Sequence, residues 1–545
     1  MNVIVLMNDT FRRDHMGAYG NNWIHTPNLN RLASESAVFD RAYIASYPTI
    51  PNRWDLATGR YGFPIRGWEP LSPEDVTLAQ VLSGAGYTTQ LIYDPPQLGY
   101  HNFDYTRGFD AWSWVRGQHT DPYVTDPTVP TPLKADYYKI KSAEALKLYW
   151  RNQGLQKYDR DYTVSRIAGE TSDWLEANAG LEKFFLWVDM WDPHEPFDAP
   201  WYDLELYADP AFDGQVVHYP PYGRSTYMTE EESQHVKAMY AGLVTMTDRW
   251  VGRILETLER TGRMEDTLIV HITDHGHLFG EHDLEGKPGG QFGNLYETTT
   301  RVPMMIRHPE GHGAGTRPQG IVQPVDVMPT VLDFLEIEPP DAPNPMDGHS
   351  LWPMVRGEVD DVREHAVSGR YPAAATDTGQ SLEVGHLFDG WVGSDRVVEA
   401  LTVTERYWAM ICSPLGRPSL LFNLEVDPDQ NTNVIDQYPD RARAMYEKAV
   451  AALRDGGASE ARLRPFLEVI PDTPVDASES LWGFEDDRGQ TIAFTSEEEA
   501  TAMGRDPEGK PNRTIFKTAM GDLLADNPRN LVFTHGQYYW AEDLV

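Results

Sequence analysis

Five short apolar runs constrain this chain more than any other feature. They lie at 2 to 7 (NVIVLM), 89 to 93 (TQLIY), 184 to 190 (FFLWVDM), 267 to 272 (TLIVHI) and 302 to 306 (VPMMI). Runs of this length without polar alternation read as strands buried on both faces. Between them, PNLNRLASESA (27 to 37) and the stretch 230 to 261 space their apolar residues by three and four, as in Val236, Met239, Tyr240, Leu243 and Met246. Alternating strands and helices predict a three-layer α/β/α core with a mainly parallel sheet. Ligands in such sheets bind beyond the carboxyl ends of the strands.

The pattern changes after about residue 365. VVEALTVTERYWAMICSP (397 to 414) and SLLFNLEVDP (419 to 428) read as hairpin strands of a smaller antiparallel sheet, with a helix near 439 to 454. The expected organisation is a catalytic α/β domain at 1–365, an α+β subdomain at 366–464 and an extension at 465–545. That extension, with aromatics such as Trp482, Phe484 and Phe494, reads either as a solvated tail or as an arm packed on the body or on a neighbouring subunit of a homo-oligomer.

Charge narrows the partners. Of 545 residues, 46 are basic and 83 acidic, a balance of −37. Such a field repels nucleic acid and anionic membrane surfaces, and no run approaches the roughly 20 apolar residues of a membrane span. Cys412 is the only cysteine, which leaves no intramolecular disulfide and no thiolate zinc site. MNVIVLMND enters a strand with no basic leader, so a cytoplasmic location is expected.

Acids and imidazoles gather at the ends of the apolar runs. The first run ends in Asn8 and Asp9, the 267 to 272 run leads into Asp274 and His275, and the 184 to 190 run leads to His194. A helix-capping role is the alternative for Asp9 taken alone. Three strand ends carrying Asp or His in one chain point to a metal site at one rim.

Between the first two strands, YPTIPNRWDLATGRY (47 to 61) places Thr49, Pro51 and Arg53 ahead of Thr58-Gly59-Arg60. Together with GAYG, TPNLNRLA, DPHEPF, TDHG followed by GEH and Lys287, RVPMMIRHP, MPTVLDFL and DGHSL, this resembles the sulfatase branch of the alkaline phosphatase superfamily. The resemblance spans roughly residues 1 to 455. It implies the alkaline-phosphatase-like fold, hydrolysis of a small anionic ester and a divalent metal.

Departures from the family pattern shape the expected chemistry. Thr49 stands where sulfatases carry the Cys or Ser that becomes formylglycine. A secondary alcohol cannot be processed to that aldehyde, but it can attack phosphorus as a simple nucleophile. Asn8-Asp9 and Asp274-His275 replace an all-oxygen calcium set, an exchange that favours zinc or manganese, with iron compatible and calcium disfavoured. The Asp-His pair resembles that of phosphonate monoester hydrolases and related phosphodiesterases. Tyr93 stands near the position where sulfatases place a lysine, which suits a monoanionic substrate.

The resemblance implies Asp9, Asp274, His275 and the Thr49 oxygen as metal ligands, with Asn8 a weak further one. Arg53 should hydrogen-bond Thr49 or the metal's carboxylates, and Lys287 should meet a nonbridging oxygen. His194 is the preferred donor to the leaving oxygen, with His282 an orienting residue and Tyr93 a substrate contact. The expected activity is metal-dependent hydrolysis of phosphodiesters or phosphonate monoesters through a phosphothreonine. The alternatives are a sulfuric ester hydrolase without formylglycine, a two-metal phosphomonoesterase and a silent anion-binding relative.

Overall fold

The first strand, β1 (Asn2–Asn8), runs through the middle of the main sheet because both its faces are apolar. Val3, Val5 and Met7 pack into one core and Ile4 and Leu6 into another, all fully buried. The computed structural model describes residues 1–99, 103–289 apart from 155 and 157, 293–371, 399–414, 419–467 and, nearer the C-terminus, 480–485, 491–494, 496–504, 510–511, 513–527, 530–534 and 537–540. The first two residues of the hairpin expected at 397 to 414 lie outside them.

Among the described residues the main sheet has seven strands. The others are β2 (Ala37–Val38), β3 (Thr88–Tyr93), β4 (Ala111–Trp114), β5 (Phe184–Met190), β6 (Thr267–Thr273) and β7 (Met304–Arg307), in the order β2-β7-β6-β1-β5-β3-β4. The pairs from β6 across to β4 are parallel, and β7 runs antiparallel to β6. After Asp274 the chain stays near the carboxyl rim instead of crossing back under the sheet, so β7 re-enters from that rim and runs the opposite way. The register aligns Asn8 with Met190 on one side and Thr273 on the other, so β1, β5 and β6 end flush. Asp9 and Asp274 therefore leave the sheet side by side.

Three helices position the site. α1 (Pro27–Ser34) stops short of the expected 37, because Ala37 and Val38 pair with β7 as an edge strand. α2 (Thr49–Thr58) is buried along its whole length. α3 (Glu230–Arg260) starts at a Thr229/Glu232 capping box.

A second sheet combines Ala366–Arg370, Leu401–Glu405, Trp408–Cys412 and Leu420–Asn423 with the short strand Ser46–Tyr47 that precedes α2. Its core includes Cys412 and the apolar face of the helix Pro439–Asp455. A third sheet joins strands of the 480–540 region to Gly223–Arg224 and Leu284–Gly286, with Tyr538 opposite Gly223 and Gly223 opposite Glu285. The described residues of this extension meet the body: Phe484 and Phe494 are fully buried, Phe484 meets the Tyr138 ring at 5.3 Å and Arg513 pairs with Asp136 at 2.9 Å. No helix among the described residues is long and apolar enough to cross a membrane.

Candidate active site

The flush ends of β1 and β6 put Asp9, Asp274 and His275, all fully buried, within reach of one ion: one ligand atom from each lies within 4.8 Å of the others. Gly276 lets this turn close, since a Cβ there would stand 1.9 Å from the Thr298 carbonyl oxygen. His275 Nδ1 donates to the Gly276 carbonyl at 3.0 Å. A carbonyl only accepts, so that bond fixes the tautomer and leaves the Nε2 lone pair facing the two carboxylates. Nε2 lies 3.5 Å from Asp274 Oδ2, 3.9 Å from Asp9 Oδ1 and 3.3 Å from Thr49 Oγ1.

Thr49 opens α2, and Arg53 follows one turn later on the same face. Its guanidinium donates to Asp189 through Nε and Nη2 (2.9 and 2.7 Å), and through Nη1 to Asp274 (2.8 Å) and the Thr49 carbonyl (3.2 Å). Nη1 also lies 3.2 Å from Asp9 Oδ2. Arg53 thus ties the nucleophile candidate to three carboxylates at once.

Thr10 joins this group to a second one. Its φ of 60° is unusual for a β-branched residue, and the backbone is held there by hydrogen bonds. Thr10 N donates to Asp274 Oδ1 (2.9 Å), and its hydroxyl donates to Asp9 Oδ1 (2.8 Å) and accepts from Lys287 Nζ (3.2 Å). Lys287 Nζ also donates to His194 Nε2 (2.7 Å) and Glu195 Oε2 (2.9 Å). Glu195 further accepts from the Tyr222 hydroxyl and has His277 Nδ1 at 3.6 Å.

Burial sets the protonation states. It raises Asp9 well above the usual carboxylate range, with Asp274 adding to the effect. Burial would raise Asp274 too, but His275 and Arg53 outweigh it and bring it down to about 2. Burial pushes His275 down to about 4 despite Asp274, and His194 well below the usual imidazole range despite Glu195. Glu195 is held well below its ordinary value because His194, Lys287 and His277 outweigh its burial.

A divalent cation fits these residues. Asp9 Oδ2 is buried and makes no hydrogen bond among the described residues. Four acidic groups (Asp9, Asp189, Asp274, Glu195) face two cations (Arg53, Lys287), and the raised pKa of Asp9 marks the shortage of positive charge that an ion would make good. Two carboxylate oxygens and one imidazole are donors that a divalent ion can take.

Three of the residues singled out in the sequence stand elsewhere. The Asn8 amide is committed away from the ligand atoms: Nδ2 donates to the Asp192 carbonyl (3.0 Å) and Oδ1 lies 3.2 Å from His271 Nε2. Tyr93 stacks on Trp114 at 6.2 Å, its hydroxyl raised to about 12 by burial, and makes no described contact with Thr49, Asp9, Asp274 or Lys287. His282, at φ 58°, lies flat on Tyr296 with 3.7 Å between ring centroids. The histidine of this segment beside Glu195 is instead His277, with its Nδ1 3.6 Å from Oε2. Asp189 was missed, although a lone acid in FFLWVDM is a signal in itself: a buried carboxylate needs a partner. For Glu195 and Tyr222 no such signal exists, because only the folded loops bring them to Lys287.

The sulfatase family model matches residues 1–337. The chain is 24% identical to an arylsulfatase of Clostridium perfringens over 498 residues, covering 82% of this chain and 93% of that one. It is 27% identical to the multifunctional alkaline phosphatase superfamily protein PehA of Trinickia caryophylli over 66% of this chain and 78% of that one. Among solved structures, the phosphonate monoester hydrolase of Agrobacterium radiobacter superposes with a TM-score of 0.64 at 23% identity, over 83% of this chain and 95% of that one. The phosphonate monoester hydrolase SpPMH from Silicibacter pomeroyi gives 0.62 at 22% identity, over 85% and 95%. The family match spans more than half the sequence, so this chain belongs to the sulfatase family, and it shares the fold of these phosphonate monoester hydrolases.

Proposed function

We propose that this sulfatase-family ester hydrolase acts on phosphodiesters or phosphonate monoesters, with Thr49 as its nucleophile. One observation carries the reading: at the start of α2, 3.3 Å from His275 Nε2, stands a hydroxyl that cannot become formylglycine. Asp9, Asp274 and His275 would hold a divalent cation, which would supply Lewis acidity beside Thr49. Thr49 Oγ forms a bond to phosphorus as the bond to the leaving alcohol breaks. Water then attacks the phosphothreonine and returns the free hydroxyl.

The chain's own groups divide the remaining work. Arg53 holds Asp9, Asp274 and the Thr49 carbonyl in place. Lys287 meets a nonbridging oxygen. It is also the proton carrier nearest the leaving group, because neutral His194 accepts from it at Nε2 instead of presenting a proton there. With Lys287 the ammonium in direct contact with this cluster, one substrate charge is matched better than two.

Sulfate ester hydrolysis is the second reading, favoured by relatives named as an arylsulfatase and an N-acetylglucosamine-6-O-sulfatase. The two-metal reading finds less support, since the ligand group at this rim, among the described residues, is Asp9, Asp274 and His275 alone.

The test is a panel of p-nitrophenyl diester, phosphonate, monoester and sulfate substrates on metal-depleted and reloaded protein, with intact-mass analysis. Thr49 should be unmodified. The diester or phosphonate should exceed the monoester in kcat/KM at least tenfold, about 1.4 kcal/mol. Zinc or manganese should restore turnover better than calcium. Faster sulfate hydrolysis would favour the second reading, and no turnover with any metal would favour a silent binding protein.

A further inference from the structure

His308, Glu310 and His312 follow β7 in the loop RHPEGHG, and one ligand atom from each lies within 4.8 Å of the others. This trio is far from the catalytic rim. β7 is antiparallel to β6, and its last residue, Arg307, pairs with Ile269, near the start of β6, whereas Asp274 follows the end of that strand. At about 3.3 Å per residue the two sites are on the order of 15 to 20 Å apart, at opposite edges of the sheet.

The loop is built to bring the two imidazoles together. Pro309 follows His308, and Gly311 N donates to the His308 carbonyl at 3.0 Å, closing a tight turn. Gly311, at φ +77°, then reverses the chain in a conformation that a side chain would strain. His312 thereby returns against His308, with ring centroids 4.7 Å apart, and its Nε2 lies 3.5 Å from a Glu310 carboxylate oxygen. Both rings are braced by one indole: His308 stacks on Trp352 at 4.5 Å and His312 meets its edge at 5.7 Å, while Phe334 packs against His308 at 5.1 Å. Orientation fixed by packing reduces the entropy that binding must overcome.

We infer that His308, Glu310 and His312 form a second metal site, for a divalent transition ion such as zinc or nickel. Two imidazoles and a carboxylate match the ligand preference of those ions and not of calcium or magnesium. The three ligands leave a solvent-facing side, since Glu310 and His312 are half or more exposed, and water completes the coordination. Loading at His308 Nδ1 displaces one hydrogen bond, the 3.1 Å contact from Glu310 N, whose N–H then turns to solvent. Every ligand comes from five consecutive residues, so the ion acts as a clip on the loop that leaves the main sheet, with no part in the chemistry at Thr49.

The test uses the full chain, stripped with chelator and titrated with zinc and, separately, nickel, counting bound ions by elemental analysis and following thermal unfolding. Wild type should bind one ion more per chain than His312→Ala. Glu310→Gln should weaken that extra ion at least tenfold, and both variants should hydrolyse ester substrates as wild type does. The added rise in Tm with zinc should vanish in His312→Ala. Asp274→Asn should remove the other ion and leave this one, so failure at the catalytic rim is distinguishable. Equal ion counts in wild type and His312→Ala would overturn the inference, as would equal zinc-dependent Tm shifts.

Discussion

Thr49, Asp9, Asp274 and His275 stand at a helix start and at strand ends of the main sheet, whereas Lys287 follows a three-residue strand of another sheet and His194 and Glu195 lie in the loop after β5. The first group is located by strand register and locked by one guanidinium. The second is located by hydrogen bonds among segments far apart in sequence, linked to the first through Thr10. The contrast teaches where rigidity resides: the ligand half is part of the sheet's own geometry, while the Lys287 half is held by its polar partners. Substitutions in the two halves should therefore fail in different ways.

The largest effect should come from Arg53→Met, which leaves three buried carboxylates without their shared cation. Unfolding in urea should show a loss of about 3–5 kcal/mol, with turnover undetectable. A loss under about 1 kcal/mol would break the comparison, since the ligand half would then not depend on its lock. Next, Thr49→Ala should lower kcat by about 10³-fold or more while leaving stability and most metal affinity in place. Retained turnover would remove Thr49 from the chemistry.

A pH measurement probes the ground between the halves. Asp192 gives its carbonyl to Asn8 and accepts from Gln118 and Thr163 through its carboxylate, and burial pushes that carboxyl up to about 7. Its folded pKa exceeds the unfolded value, so its contribution to stability is full below about pH 4 and is lost as pH rises to about 7. Relative to wild type, Asp192→Asn should gain stability over that interval, by on the order of 3 kcal/mol, and hold the gain above it. Parallel Tm curves would show that this carboxyl titrates normally. The smallest effect belongs to Tyr222→Phe, which removes one donor from Glu195 and leaves Lys287 paired. About a tenfold fall in kcat/KM, with unchanged metal content, would mark Tyr222 as a positioning residue.

These halves also differed in how far the sequence disclosed them. Buried strands announce themselves by unbroken apolar runs, and all five runs form strands of the main sheet. Because the strand ends are marked by the runs themselves, the gathering of Asp9, Asp274 and His275 at one rim was legible in the sequence, and the neighbourhood of Thr49 and Arg53 followed from a motif of fixed spacing. The Lys287 half was legible only in Lys287 and His194. GHLFGEH offers two histidines after the Asp-His pair, and only the turn at Gly280 and His282, both at positive φ, sends His282 to Tyr296 while His277 remains beside Glu195. Turn geometry of that kind is fixed by the tertiary fold. Tyr93 misled for a related reason: its position matched a family lysine, but an aromatic ring at a strand end gains more from stacking on Trp114 than from facing a polar site.

The pairing of Gln537–Trp540 with Gly223, and of Gly223 with Glu285, bears on the order of events during synthesis. Asp9, Thr49 and Arg53 have all been synthesised once Asp274 and His275 are made. The strand that leads to Lys287 gains its outermost neighbours only when residues 537–540 appear. A ribosome stalled before residue 537 would hold a nascent protein in which Asp9, Thr49, Asp274 and His275 are all present while the lysine-bearing side still lacks its outer strands.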